Sequence, residues 1–121
     1  MKYDDNNTFA KILRGEIPCN KIYEDDFVLS FYDINPQKKI HALVIPKGKY
    51  IDLDDFNTNA SNDEIVGLMK GITIVSKKLG ISSIDGKGYR ALANISDYGG
   101  QEVPHLHFHL FGGEKVGKMV L

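Results

Sequence analysis

Cysteine is almost missing from this sequence, and tryptophan is missing altogether. Cys19 is the single cysteine, so the chain cannot form an internal disulfide, which favours a reducing compartment. No segment is apolar over the length of a signal peptide or of a membrane span. We therefore expect a cytoplasmic protein that does not insert into a membrane.

An excess of charge of either sign is also lacking. The chain has 15 basic and 16 acidic residues, which gives a net charge of −1 at pH 7 with neutral histidines. This balance creates no long-range field toward a polyanion, so we expect no nucleic-acid partner. The composition is globular, and 121 residues without a repeat or a compositional break predict a single domain over residues 1–121.

The first half of the chain predicts a short helix and two strands. Residues 6–18 begin with capping-type side chains and continue with helical apolar spacing. Residues 26–34 and 39–47 are apolar, partly β-branched runs, which predict antiparallel strands with a turn around Asn35-Pro36. Residues 52–62 are polar, and we expect a loop there.

The second half predicts one long helix over residues 61–79. Ser61 and Glu64 fit a capping box, and Gly80 suits the C-terminal end. A strand over 89–95 and a final strand beginning at Pro104 follow. We expect an α+β fold, a largely antiparallel β-sheet with one long and one short helix packed on one side. The helix carries one apolar stripe, formed by Ile65, Leu68, Met69, Ile72, Val75 and Leu79.

Three of the four histidines occupy alternate positions in the stretch PHLHFHLF, residues 104–111. Alternate residues of a strand share a face. The pattern therefore predicts that Leu106, Phe108 and Leu110 enter the core, while the three imidazoles lie together on the opposite face. These imidazoles belong to His105, His107 and His109.

Two kinds of chemistry fit such a row of imidazoles. At roughly 3.3 Å per residue, the outer two Cα atoms lie about 13 Å apart, too far for all three to bind one metal ion, although two of them with His41 remain feasible. A phosphate ester suits the spacing better. A neutral central His107 could attack phosphorus, while its neighbours donate hydrogen bonds and protonate the leaving group. We therefore predict no metal and no cofactor.

Residues outside the row could complete such a site. His41 is in phase with Leu43 in its strand, which indicates that it joins the other histidines. Gly99 and Gly100 would let the main chain approach an anion closely. Asp33, before Ile-Asn-Pro, is more typical of a turn residue than of a ligand to a sugar.

The motif HLHFHLF matches the signature of the histidine triad (HIT) family. Residues 8–47 and 94–113 also resemble the purine-nucleotide-binding branch of the histidine triad nucleotide-binding proteins, and the resemblance covers nearly the whole chain. It implies a HIT-like fold and a metal-independent hydrolase that cleaves purine nucleoside 5′-phosphoramidates, or related nucleotidyl esters and anhydrides, at the α-phosphate. It also implies a homodimer that binds AMP- or GMP-type nucleotides.

The resemblance assigns roles to individual residues. His107 would form a covalent nucleotidyl-histidine, His105 and His109 would orient it and contact the phosphate or leaving group, and His41 would support them. Asp33 would bind the ribose hydroxyls, which reverses the preference for a turn residue. An apolar pocket for the base would come from Phe9, Ile12, Ile17, Phe31, Ile34 and Leu43, and the phosphate side from Asn94, Gly100, Gln101 and Val103.

One position departs from the family pattern. Many relatives have Ser or Thr where this chain has Glu102, whose carboxylate would repel a phosphate unless it turns away. Within the wider family, nucleotidyl transferases have Gln where this chain has His109, which favours hydrolysis. Two alternatives remain open: a dinucleoside polyphosphate hydrolase, or a nucleotide-binding partner protein whose turnover is incidental.

Overall fold

The computed structural model describes residues 2–119. Five strands form one sheet in the order β1-β2-β3-β5-β4, and every neighbouring pair is antiparallel. The α+β prediction is confirmed. In chain order the elements are α1 (Thr8–Leu13), β1 (Lys21–Glu24), β2 (Val28–Tyr32), β3 (Ile40–Pro46), α2 (Leu53–Asn59), α3 (Asn62–Lys78), β4 (Arg90–Leu92) and β5 (Phe108–Gly112).

Strands β2 and β3 form the predicted hairpin at the centre of the sheet. Their register pairs Ser30 with Val44 and Tyr32 with Ala42. The turn between them is closed by the Asp33 amide, which donates to the carbonyl of His41 at 3.0 Å. This bond holds Asp33 beside the first residues of β3.

The helices cover both faces of the sheet, so the prediction that they pack on one side is wrong. Helix α3 packs on the face that carries Val28, Val44 and Leu110. Helix α1 packs on the other face, where Phe9 meets Leu43. The reason is that β2 and β3 are apolar at successive positions, so both of their faces must be covered.

Helix α3 confirms the predicted caps. The Ser61 hydroxyl accepts from the Glu64 amide, and the Glu64 carboxylate accepts from the Ser61 amide, both at 3.1 Å. Gly80 follows the helix with φ of +71°, a conformation that favours glycine. Leu68 of the stripe is fully buried, but Met69 is 48% exposed.

None of the helices over residues 2–119 is both long and apolar enough to cross a membrane.

Residues 53–59 form helix α2, so the loop predicted for residues 52–62 is wrong over that span. The Asp52 side chain caps the helix by accepting from the Asp55 amide at 2.8 Å. Acidic residues in the first turn interact favourably with the helix dipole and so stabilise the helix. Phe56 is only 1% exposed and Leu53 is partly buried against the same core, but two apolar residues are too weak a periodic signal to distinguish a short helix from a loop.

The histidine strand starts later than predicted. Strand β5 begins at Phe108, and Pro104 lies in a bend where the His105 amide donates to the Val103 carbonyl at 2.9 Å. The predicted faces hold nonetheless, because Leu106 and Leu110 are fully buried on the α3 side. Strand β4 is likewise shorter than the predicted 89–95.

Candidate active site

A cavity of about 450 Å³ opens on the side of the sheet that α1 covers. Helix α1, the β2–β3 turn, β3, the loop after β4 and the segment entering β5 all contribute to its wall. It collects three of the four histidines. The lining residues are Phe9, Asp33, Asn35, Gln37, His41, Leu43, Asn94, Gly100, Glu102, Val103, His107 and His109.

His107 is held in one tautomer by the main chain. Its Nδ1 lies 2.8 Å from the carbonyl oxygen of His105. A carbonyl only accepts, so Nδ1 carries the proton and the lone pair of the neutral ring belongs to Nε2. The ring is 6% exposed and packs edge-on against Phe9, with 4.9 Å between the ring centroids. This arrangement orients a neutral imidazole with its lone pair on Nε2, and a ring in that form can act as a nucleophile.

A chain of hydrogen bonds from Gln37 through His41 to His109 fixes which ring nitrogens of His41 and His109 carry protons. The Gln37 amide donates to Nδ1 of His41 at 3.1 Å. The proton of the neutral His41 ring is therefore on Nε2, which lies 2.9 Å from Nδ1 of His109 and donates to it. His109 then carries its proton on Nε2. The cavity thus combines an acceptor nitrogen on His107 with a donor N–H on His109.

Burial keeps these rings neutral near pH 7. Desolvation lowers the pKa of His109 to about 4, helped by the neighbouring His107 and His41. Burial also lowers the pKa of His107, against the opposing influence of the His105 carbonyl and of the Asp33 and Glu102 charges. The pKa of His41 is lowered by burial too, although Asp33 opposes the shift. A neutral imidazole is the form that can act as a nucleophile.

His105 lies behind the cavity rather than in its wall. Its side chain is fully buried, and its Nε2–H donates to the Pro46 carbonyl at 2.8 Å. Nδ1 is then an acceptor, and it receives the Tyr3 hydroxyl at 2.6 Å. Burial lowers the pKa of His105 to about 4. Both ring nitrogens are occupied, so His105 acts on the site through its main-chain carbonyl.

One cluster has the spacing of a metal site. Single ligand atoms of Asp33, His41 and His109 lie within 4.8 Å of one another. Ligation of a metal by Nε2 of His41 requires a free lone pair there and the proton on Nδ1. The Gln37 amide faces that Nδ1 as a donor, so a proton on it would oppose the amide. The geometry of the turn therefore does not fit a metal at this cluster.

The cavity is acidic for a phosphate-binding surface. Over residues 2–119, its lining includes the carboxylates of Asp33 and Glu102 and no lysine or arginine. An anion here would depend on imidazole N–H groups and on main-chain amides. Gly100 has φ of +75°, which lets the loop turn beside the cavity, and Asn94 braces this loop by donating to the Gly99 carbonyl at 2.7 Å.

The family model described as the HIT domain matches residues 14–116 of the chain. The chain belongs to the HIT family. An uncharacterised HIT-like protein of Azospirillum brasilense is 50% identical over 118 residues, which cover 98% of this chain and 94% of that protein. The purine nucleoside phosphoramidase of Escherichia coli is 39% identical over 116 residues, covering 96% and 94% of the two chains.

Solved structures agree with the sequence relatives. A HIT family hydrolase from Clostridium thermocellum superposes with a TM-score of 0.85 at 36% identity, covering 98% of this chain and 99% of the other. The predicted HIT-like fold is confirmed at this level of similarity.

Most residues predicted for the site of this HIT protein line the cavity that contains the histidines. Phe31 lies directly behind the wall, 4% exposed and edge-on to Phe9 with 5.6 Å between ring centroids. The predicted residues that reach the cavity are Phe9, Asp33, His41, Leu43, Asn94, Gly100, Val103, His107 and His109.

Three residues predicted for the apolar base pocket lie elsewhere, and His105 reaches the site only indirectly. Ile34 is 91% exposed in the turn after β2, because the chain leaves the sheet at that point. Ile12 lines a separate cavity of about 430 Å³ that also borders Cys19 and contains no histidine. Ile17 is half-buried and lines neither cavity.

Gln101 braces the protein itself. Its Nε2 donates to the carbonyls of Ile51 at 2.7 Å and Val103 at 3.0 Å, and its Oε1 accepts from the Ser96 amide at 2.9 Å. Both N–H groups of the side-chain amide are therefore engaged inside the protein, and Gln101 is not among the residues that line the cavity. Its predicted contact with the phosphate stays a prediction. The Gln101 side chain holds the glycine-bearing loop in place.

Three residues near the histidines were not predicted. Gln37 acts through its main-chain amide, which no side-chain pattern reveals. Asn35 joins the lining because of the path of the same turn. Tyr3 contacts His105 across 102 positions of sequence, and a lone tyrosine near the N-terminus gives no signal of that contact.

Proposed function

We propose that this HIT protein hydrolyses purine nucleoside 5′-phosphoramidates, or related nucleotidyl esters and anhydrides, through a covalent nucleotidyl-His107. The observation that carries the proposal is the fixed tautomer of His107. Its Nδ1–H is bound to a carbonyl, so the lone pair on Nε2 belongs to a ring that burial keeps neutral. A neutral, oriented imidazole is what attack on phosphorus requires.

The reaction takes two steps. In the first, Nε2 of His107 forms a bond to the α-phosphorus while the bond from phosphorus to the leaving nitrogen breaks. Nε2–H of His109, the donor that His41 orients from behind, hydrogen-bonds to the leaving nitrogen, which takes a proton from solvent water and departs as an amine. In the second, water attacks phosphorus, passes its proton to solvent and releases His107 with its lone pair restored.

The cavity walls support a nucleotide with a neutral or basic leaving group. Phe9, Leu43 and Val103 offer an apolar surface to a purine, and Asp33 offers a carboxylate to ribose hydroxyls. Because Asp33 and Glu102 are the charged groups of the described lining, a polyphosphate leaving group would meet repulsion without a compensating cation. This charge pattern favours phosphoramidates over dinucleoside polyphosphates.

Replacing the nucleophile tests the proposal. His107→Gly should lower kcat on adenosine 5′-phosphoramidate by at least about 10³-fold, while AMP affinity changes by less than about threefold. Mass spectrometry of wild-type protein quenched in acid during turnover should find a nucleotidylated peptide containing His107. Ser61→Ala, outside the cavity, is the control for general destabilisation. Turnover by His107→Gly at the wild-type rate would exclude the mechanism.

We also propose that the protein is a homodimer in a reducing, cytoplasmic environment. Helix α3 exposes Val66 and Met69, at 49% and 48%, together with part of Ile74. Strand β4 lies at the edge of the sheet described over residues 2–119, with β5 as its one neighbour. Apolar helix surface and a sheet edge both suit association with a second copy. Sedimentation equilibrium that gives the mass of one chain at micromolar concentration would contradict the dimer.

A further inference from the structure

The N-terminal segment reaches the histidines from outside the region that the family model matches. Tyr3 precedes residues 14–116, yet its hydroxyl lies 2.6 Å from Nδ1 of His105. The two rings meet edge-on, with 5.7 Å between their centroids. Burial raises the pKa of the Tyr3 phenol, so the hydroxyl keeps its proton at neutral pH. Tyr3 is therefore a donor to His105.

The hydrogen bond from Tyr3 satisfies the second ring nitrogen of a fully buried imidazole. Nε2–H of His105 already donates to the Pro46 carbonyl at 2.8 Å, so the remaining lone pair is on Nδ1. Water does not reach this ring, whose side chain has no exposed surface. Without the Tyr3 hydroxyl, a buried acceptor loses its partner, which favours displacement of the ring.

His105 in turn holds the nucleophile. Its carbonyl oxygen accepts Nδ1–H of His107 at 2.8 Å, so the ring and the carbonyl that orients His107 belong to one residue. Phe9 couples the two rings a second time, because it packs edge-on against both, with centroid distances of 6.4 Å to His105 and 4.9 Å to His107. A displacement of the His105 ring therefore changes the orientation of His107.

The segment that carries Tyr3 is fixed to the body of the protein. The Asp5 carboxylate is paired with Lys49 at 2.8 Å, and the Asp5 carbonyl accepts from Arg14 at 2.8 Å. Asn7, which caps helix α1, is buried and also donates to the Asp4 carbonyl at 2.8 Å. These contacts hold the residues just after Tyr3 against α1 and the segment that follows β3.

We propose that Tyr3 is a positioning residue for the nucleophile: its hydroxyl fixes the His105 ring, whose main-chain carbonyl fixes the tautomer and direction of His107. The proposal rests on the proposed role of His107 and adds to it a residue of the N-terminal segment. It assigns no contact between Tyr3 and the substrate. The effect should therefore be on kcat rather than on substrate affinity.

Tyr3→Phe tests this role, because it deletes the hydroxyl and keeps the ring. A misoriented nucleophile should lower kcat on adenosine 5′-phosphoramidate by about tenfold with KM within about twofold of wild type. Tyr23→Phe is the matched control, since Tyr23 donates to Asp25 at 2.8 Å on the edge strand β1, away from the cavity. That control should change neither constant by more than about twofold.

Nitrogen-15 NMR of the histidine rings provides a readout independent of turnover. In the wild type, His105 should show its proton on Nε2 and His107 on Nδ1. In Tyr3→Phe, the Nδ1 signal of His105 should shift because that nitrogen loses its donor, and the Nδ1–H signal of His107 should shift as its orientation changes, while Tyr23→Phe leaves both unchanged. The ring signals also separate this proposal from the proposed function. If His107→Gly retained activity, His107 would not be the nucleophile, but the ring signals would still test the hydrogen-bonded chain from Tyr3 through His105 to His107.

Two results would overturn the proposal. One is a kcat for Tyr3→Phe within about twofold of that for Tyr23→Phe. The other is a lowered kcat with unchanged ring signals for His105 and His107, which would indicate general destabilisation. If Tyr3→Phe proves too unstable to purify, 3-fluorotyrosine at position 3 keeps the hydroxyl and should retain the wild-type kcat and ring signals; loss of either would also count against the role.

Discussion

Acidification should destabilise this protein through His105, which is fully buried behind the cavity. Burial holds the pKa of His105 at about 4 in the folded chain, against 6.5 for an unperturbed imidazole. Between these values the unfolded chain binds a proton that the folded chain does not. The stabilisation is therefore complete above pH 6.5 and is lost as the pH falls toward 4. At about pH 5 the loss from His105 alone comes to about 2 kcal/mol.

Urea unfolding at about pH 7.5 and about pH 5 measures this loss. His105→Gln provides the comparison, because glutamine can hydrogen-bond in the same space but does not titrate. Carboxylates that titrate near pH 5 contribute similarly to both proteins and cancel in the difference. We expect the free energy of unfolding to fall by about 2 kcal/mol more in the wild type than in the variant between the two conditions.

Equal losses in the two proteins would refute the reasoning that His105 is buried as a neutral ring. An NMR titration of the folded wild type gives a direct check, since the His105 ring should remain neutral at about pH 5. A ring that titrates near its ordinary value would also contradict the burial described above.

Two further predictions concern the cavity charge and a helix cap. Glu102→Gln removes one of the two carboxylates of the lining. It should raise kcat/KM on diadenosine polyphosphate about threefold relative to adenosine 5′-phosphoramidate at low salt, and less at high salt; an unchanged ratio would exclude Glu102 from the selection of leaving groups. Ser61→Ala removes the capping box of α3 and should lower the free energy of unfolding by about 1 kcal/mol in urea titration, with kcat unchanged. A fall in kcat would show that the cap reaches the site.

Strand alternation explains why the sequence predicted so much of the site. The faces of β3 and β5 follow directly from period two, which brings His41 beside His109 and keeps Leu110 in the core. The alternation continues through His105 and His107 even though regular pairing begins only at Phe108. Side-chain phase is a local property, and local properties can be read from a sequence.

The remaining features depend on contacts between distant or main-chain groups. Helix α2 is fixed by a cap and one buried phenylalanine, signals too sparse to outweigh its polar composition. Ile34 looks apolar in the sequence, but the path of the turn exposes it. Gln101 looks available to a ligand, but its amide is occupied by three main-chain groups. Tyr3 reaches its partner only through the tertiary fold.

The amide of Gln37 decides the direction of the proton chain, and this has a consequence for natural variation at that position. A peptide N–H does not titrate in the physiological range and is supplied by every residue except proline. The side chain at position 37 can therefore change freely without reversing which nitrogen of His41 carries hydrogen. Sequence diversity at position 37 would therefore not indicate that the site has lost its function. A proline there would remove the N–H and would be incompatible with the order of donors and acceptors that runs through His41 to His109.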